Sequence, residues 1–290
     1  MFGLLNINKR QGLTSRDVVN RVQRLVRPAK VGHAGTLDPL ASGVLVVGVG
    51  PATRLVKHVQ RMRKVYDAEF LLGRTSDTED VEGQVVPLEN SPRPTRDQIA
   101  AVLPRFVGQI EQVPPVFSAL KVKGRRAYDL ARRGKAVKLA PRPVTIYEIR
   151  LLDFQYPKLR LEITCGSGTY IRSLGRDLAV ALGSGAVMSR LDRTAIGDFT
   201  TDSACRMDEL TADGLPKQLL PARLAVADLP SVTLDDQQIG RIRHGLTIEN
   251  RWNVQGDEIS ALDRAGELLA ILTTRSGGTL GPIRNFFTAH

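Results

Sequence analysis

Along this 290-residue chain the apolar positions switch repeatedly between a period of two and a period near three and a half, so strands and helices are mixed. Phe2 to Ile7 predicts a short strand, broken by Gly12. Val18, Val19, Val22, Leu25 and Val26 form the stripe of a helix starting near Thr14, where Thr14 and Asp17 are spaced as a capping box. Val44 to Val49 is almost continuously apolar, as expected of a buried strand. A short helix over Thr53 to Val59 and a strand over Lys64 to Leu72 follow. Thr95 and Gln98 open a helix of about ten residues that Pro104 and Gly108 close. Arg125 to Arg133, with Ala127, Leu130 and Ala131 on one side and Gly134 behind, predicts another helix. Val144 to Leu152 and Leu159 to Cys165 read as strands, and Tyr170 to Leu182 as a helix burying Ile171, Leu174, Leu178 and Leu182. Beyond residues 221–231 the texture changes. A short helix, Asp235 to Arg243, precedes strands Glu258 to Leu262 and Glu267 to Leu272, joined by an Asp-Arg-Ala-Gly turn. The expectation is an α+β chain with a large unit over residues 1–225, a small β-rich unit over 230–290, and no internal repeat.

Charge narrows the partner. Lys and Arg number 41 against 30 Asp and Glu, for a net charge of +11 and a pI near 10.0. Residues 121–142 hold nine Lys or Arg and one Asp, whereas residues 67–82 hold six acidic groups, so positive charge is placed and not spread. A polyanion is the favoured partner. Cys165 and Cys205 supply neither a disulfide framework nor a tetrahedral metal cluster. The apolar run at the N-terminus is too short for a signal peptide and no 18-residue apolar stretch occurs, from which a cytoplasmic, membrane-free protein is expected.

Candidate chemistry concentrates in Lys30 to Gly50, KVGHAGTLDPLASGVLVVGVG. Gly32, Gly35, Gly43, Gly48 and Pro39 punctuate it, as in backbone bent around a site, and His33 and Asp38 are its reactive side chains. A loop held by a core strand is a common seat for catalysis. Taken singly, Asp38 also reads as the start of an Asp-Pro turn and His33 as a partner for a nearby carbonyl. Two tempting sites fail on spacing. Gly48-Val49-Gly50 lacks the third glycine of a dinucleotide fingerprint and runs into Pro51, and the acidic turn TSDTEDVEG places its glycine after the acidic run, unlike a calcium loop.

As a whole, G-H-A-G-T-L-D-P-L-A-S-G resembles the catalytic motif of the TruB family, the bacterial tRNA pseudouridine-55 synthases. The resemblance implies a pseudouridine synthase fold with a central mixed, mainly antiparallel sheet, and makes Asp38 the nucleophile with His33 beside the flipped target nucleotide. Lys9, Gly12, Thr14 and Ser15 are similar to the family's N-terminal K-x-x-G-x-T-S segment, which supports the site together with Gly32, Gly35 and Pro39. Tyr66 opens Y-x5-L-G-x3-D-T-x-D-x2-G, which resembles the segment whose tyrosine stacks on the target base. C-G-S-G-T-Y-I-R resembles the third catalytic segment, so Arg172 is expected to pair with the aspartate and Tyr170 to pack on sugar and base. Leu191 keeps the position lining the uracil pocket and Arg193 keeps one substrate-binding cation, but Val187 and Asp192 stand where the family usually has histidine and arginine. Residues 114–134 resemble the block whose insertion closes over the T loop. Lys121, Lys123, Arg132 and Arg133 are its candidate phosphate contacts. The C-terminal strands loosely resemble a PUA-like RNA-binding module.

Isomerisation of uridine leaves the atom count unchanged, so no metal or other cofactor is expected. An arginine beside the nucleophile suits a carboxylate that must be charged to act. The partner implied is tRNA, through its T stem-loop and with the acceptor end in reach, bound by a monomer without guide RNA. Two other classes compete: a non-catalytic tRNA-binding or folding module on the same scaffold, and a structural ribonucleoprotein component. Retention of Asp38, Tyr66 and Arg172 weighs against the former, and the basic insertion against the latter.

Overall fold

The computed structural model describes residues 1–117, 121–122, 125–126 and 139–287, without the side chains of 121–122 and 125–126. In chain order it runs β1 (Gly3–Lys9), α1 (Ser15–Val26), β2 (Val31–His33), β3 (Ser42–Val49), α2 (Val56–Arg61), β4 (Lys64–Leu72), β5 (Arg74–Thr75), β6 (Val86–Pro87), α3 (Arg96–Val102) and β7 (Gly108–Gln112). It continues with β8 (Lys121–Val122), β9 (Arg125–Arg126), β10 (Arg142–Gln155), β11 (Lys158–Cys165), α4 (Ile171–Ala181), β12 (Ala186–Ile196), β13 (Phe199–Thr200), β14 (Cys205–Arg206) and α5 (Leu215–Gln218). The C-terminal part holds β15 (Ser231–Thr233), α6 (Asp236–Arg243), β16 (Ile248–Glu249), β17 (Ile259–Leu262), β18 (Leu268–Arg275) and β19 (Thr279–Asn285). Among the described residues no helix is long and apolar enough to cross a membrane.

β3 explains its own composition. Leu45, Val47 and Val49 pack with Leu5 and Ile7 of β1 against Val18, Val22 and Val26 of α1, while Val44 and Val46 face the opposite side, against Ala52, Leu55 and Val59. Covered on both faces, the strand has no solvent side, and so its sequence does not alternate. Each fully buried Val or Leu contributes about 1.5–3 kcal/mol. An Asp at Val22 would place a charge in this layer without a partner.

β3 lies inside a ten-stranded sheet of order β14-β1-β3-β12-β4-β11-β10-β7, with β2 on β3 and β13 on β12. Only β1/β14 and β12/β3 are parallel among these pairs, so the sheet is mixed and mainly antiparallel. The main core lies between β4, β10, β11 and β12 on one side and α3 and α4 on the other, with Phe70, Leu161, Ile163, Leu174 and Leu178 among its residues. A second, five-stranded sheet runs β15-β17-β18-β19-β16 around Val232, Ile242, Ile259 and Leu272. It is not a detached module. Leu268, Ile271 and Phe286 join Leu4, Val44, Leu55 and Val226 in one cluster, and Phe286 stacks on Phe2 at 5.3 Å.

Three places depart from the sequence reading. Residues 186–196 form a long strand in the middle of the sheet, hidden from periodicity by two bulges against β4, at Met188/Arg190 and Arg193/Ala195, which break the alternation. The helix expected from Arg125 is corrected at its start: Arg125–Arg126 pair antiparallel with Lys121–Val122, so ladder hydrogen bonds replace helical ones, and the rest of that stretch lies outside the described residues. The expected helix over 53–59 is a 3-10 turn, Gly50–Leu55, that runs directly into α2 at Val56, a tighter first turn of the kind common at helix N-termini.

Candidate active site

The motif loop is tied down at several backbone points. Ala41 N–H donates to the Asp38 carbonyl at 3.1 Å, closing a turn with Pro39 at its second position, and Gly12 N–H donates to Pro39 O at 2.8 Å. The Ser15 hydroxyl accepts from Leu37 N–H at 2.9 Å and donates to Leu37 O at 3.2 Å, so the first turn of α1 carries the loop. Arg193, only 2% exposed, donates from Nε to Val44 O at 2.8 Å and from its terminal nitrogen to Gly35 O at 3.2 Å. Gly43 has φ +99, and a Cβ there would overlap the Arg193 carbonyl; the close approach of β12 to β3 requires glycine. Gly32 faces Gly48 across the β2–β3 ladder.

Asp38 projects from this loop towards α4. Its Oδ2 lies 2.9 Å from Arg172 Nη2, with the arginine side chain 6% exposed and the aspartate 36%. The guanidinium is fixed from behind. It donates to Thr78 O at 2.8 Å and Phe117 O at 3.1 Å and stands 3.5 Å from the buried carboxylate of Asp80. Asp80 accepts in turn from the Thr78 hydroxyl at 2.5 Å and from Glu82 N–H at 3.1 Å. The acidic turn is therefore part of the site's frame as well as a hairpin connection. The signal available in sequence was an Asp two residues after a Thr, where the hydroxyl satisfies the carboxylate and burial becomes affordable.

Asp38 and Arg172 open into a cavity of about 260 Å³ lined by Tyr66, Lys64, Gln60, Arg142, Tyr170, Leu191 and Arg193 and by the 166–169 loop. Tyr66 alternates with Ala68 and Phe70 on the buried face of β4, so one ring serves the core and the pocket wall. Burial pushes its phenol above the usual value, against the opposing effect of Arg193 beside it, which keeps it protonated at neutral pH. Lys9 and Lys64 are both brought down to about 8, chiefly by burial. Lys9 Nζ donates to Leu13 O at 2.7 Å and Arg10 O at 3.1 Å; Lys64 Nζ donates to Met62 O at 2.7 Å and to Gln60 O. Lys64, Gln60 and Arg142 had no motif to mark them, because what selects them is where the starts of β4 and β10 and the last turn of α2 fall at the pocket.

The remaining candidates are placed as follows. His33 pairs with Val47 at the end of β2, one residue before the cavity lining; its buried Nδ1 has no hydrogen-bond partner among the described residues, and burial lowers its pKa, favouring the neutral ring. Leu191 is 6% exposed at the pocket wall. Val187 is wholly buried, and Asp192 accepts from the Ser42 hydroxyl at 3.2 Å, so these two unusual residues serve the core and the β12–β3 seam. Lys121 lies in β8 without a described side chain, and Lys123, Arg132 and Arg133 lie outside the described residues.

Against known proteins, the model of the TruB family pseudouridylate synthase N-terminal domain matches residues 23–171. The "tRNA pseudouridine synthase B" of Dehalococcoides mccartyi is 40% identical over 292 residues, covering 99% of this chain and 97% of that protein. The chain belongs to the TruB family. The Rhodospirillum rubrum TruB protein of the same name is 42% identical over 298 residues, covering 98% of this chain and 96% of the relative. Among solved structures, a chain of an H/ACA RNP bound to a substrate RNA containing 2'-deoxyuridine superposes with a TM-score of 0.76 at 25% identity, covering 99% of the TruB chain and 86% of its own. A chain of a Cbf5-Nop10-Gar1 complex gives 0.73 at 27% identity, with coverages of 99% and 84%.

Proposed function

We propose that this protein is a tRNA pseudouridine synthase, an isomerase that converts uridine-55 in the T loop to pseudouridine with Asp38 as nucleophile. The observation that carries the proposal is the Asp38–Arg172 pair at a cavity walled by two tyrosines and Leu191. The relatives named above support tRNA as the substrate. At about 260 Å³ the cavity is near the lower end of small-molecule sites, in keeping with a single nucleotide unit. Tyr66 and Arg172 line it while themselves buried, so a uridine that reaches them must leave the loop's stack, and the neutral ring of Tyr66 offers a flat face that recovers part of the unstacking cost.

The reaction breaks C1'–N1, turns the base, joins C5 to C1' and releases the C5 proton, while the freed N1 takes up a proton from water, so that the atom count is unchanged. Asp38 has one oxygen on Arg172 and remains partly exposed, so its carboxylate is accessible to the sugar. Arg172 supplies the counter-charge and fixes direction. Tyr170 and Leu191 limit where the detached base can turn, and the basic stretch 121–142 holds phosphates of the stem-loop, whose folded shape is what is read. Residues 230–290 act as a PUA-like RNA-binding unit that strengthens the hold on whole tRNA, and a tRNA substrate places the enzyme in the cytoplasm.

Purified protein mixed with an unmodified synthetic tRNA and no guide RNA should form pseudouridine at position 55. Asp38→Asn should bind that tRNA within about tenfold of wild type while turning over at less than about a hundredth of its rate. Binding without turnover by the wild type would favour the non-catalytic module, and turnover only with a guide RNA would favour the ribonucleoprotein component.

A further inference from the structure

Gln112 ends β7 with its side chain wholly buried, a location where both halves of an amide need partners. Both partners belong to one residue. Gln112 Oε1 accepts from Tyr170 N–H at 2.8 Å, and Nε2 donates to Tyr170 O at 3.0 Å. Tyr170 is the residue from which α4 starts, and its side chain caps none of the helix's free N–H groups. Arg172 follows two positions later.

The neighbouring strand acts on the same tyrosine. Arg142 is the Cα partner of Gln112 in the β7–β10 ladder, and its guanidinium lies over the Tyr170 ring, 4.9 Å from the centroid, while donating to Gly168 O. Gly168 has φ +87, and a Cβ there would come within 3.5 Å of that guanidinium. Past Gln112 the chain stays on α4: Val113 O accepts from Arg176 at 2.9 Å and Phe117 O from Arg172 at 3.1 Å. The start of α4 is held on its backbone by Gln112, on its ring by Arg142, and along its side by the chain leaving β7.

We propose that Gln112 is a positioning residue of the isomerisation: it sets the first turn of α4 and thereby the direction from which Arg172 meets Asp38. This rests on the activity proposed above. Gln112 does not line the cavity and touches no reacting atom, so it acts through Tyr170 and Arg172. Losing the clamp lets the first turn shift, and a displacement of the ion pair by less than 1 Å is enough to slow the reaction with little effect on RNA binding.

The experiment uses the full chain and an unmodified T stem-loop under single-turnover conditions. Gln112→Leu should lower the isomerisation rate about 30-fold and leave the stem-loop Kd within about threefold. Gln112→Glu tests the donor. An ionised glutamate accepts from Tyr170 N–H but has nothing to donate to Tyr170 O, whereas the protonated acid does both, so its rate relative to wild type at the same pH should rise about tenfold from about pH 8 to about pH 6. If Gln112→Leu fails to fold, Gln112→Glu decides alone. Wild-type turnover beside a folded Gln112→Leu within twofold of it overturns the proposal, as does a loss confined to Kd or a pH-independent Gln112→Glu ratio. Absence of wild-type turnover overturns the functional reading first, and this proposal with it.

Discussion

Arg172→Met and Asp38→Asn should separate stability from turnover within one ion pair. The two ends of the pair sit in different surroundings: Arg172 is 6% exposed and Asp38 36%. Asn in place of Asp38 therefore removes a partly water-screened charge and should cost about 0–1 kcal/mol, the range of exposed pairs. Removing the guanidinium is different. It takes away the donor to Thr78 O and Phe117 O and leaves Asp80, 4% exposed, without the cation 3.5 Å away. Breaking a buried pair from one side costs about 3–5 kcal/mol, which at about 2–4 °C per kcal/mol for a domain of this size lowers Tm by roughly 10 °C. Turnover should collapse in both. The assays are thermal melts followed by circular dichroism and single-turnover release of tritium from C5-labelled uridine in tRNA. Equal destabilisation by the two substitutions, or an Arg172→Met protein melting within about 2 °C of wild type, would refute the division between the Asp80 and Asp38 sides of the guanidinium.

Three further outcomes are expected. Lys64 has a folded-state pKa of about 8 against an ordinary value of 10.5. Between those values the unfolded chain binds more protons, so the stability of wild type relative to Lys64→Met should rise as pH increases from 8 towards 10.5; parallel melts from pH 7 to 9.5 with a constant difference would contradict this. Neutralising Lys121, Lys123, Arg132 and Arg133 together should weaken tRNA binding and flatten its log-log salt dependence by roughly 0.7–0.9 per lost phosphate contact; fluorescence titrations with an unchanged slope would return these residues to plain solvated surface. A chain ending near residue 225 should melt lower than the whole protein, because Leu268, Ile271 and Phe286 leave a cluster shared with Leu4 and Val44, yet modify a stem-loop wherever it folds; a folded truncation inactive on the stem-loop would assign the C-terminal sheet to the catalytic unit.

Much of the local structure was legible in the sequence because its causes are local. Thr14 with Asp17 and Thr95 with Gln98 form capping boxes because residues three apart meet in a first helical turn whatever surrounds them. The run from Val44 to Val49 announced a buried strand, which the structure covers on both faces, and the glycines and proline around Asp38 announced a bent loop. Strand β12 was not legible, since bulges turn its residues out of strict alternation and bring Arg193, expected to be a substrate-binding cation, into the buried layer, where it clasps Gly35 and Val44 and also lines the cavity. The pairing of Asp38 with Arg172 followed from resemblance and from no spacing, because a loop before β3 and the first turn of α4 are joined only by the order and register of the strands between them. Asp80 behind the arginine and Gln112 beneath Tyr170 belong to the same class. A side chain's type states what it can donate or accept, but which partner it receives depends on which strands become neighbours, and that is decided by packing the whole sheet into its helices.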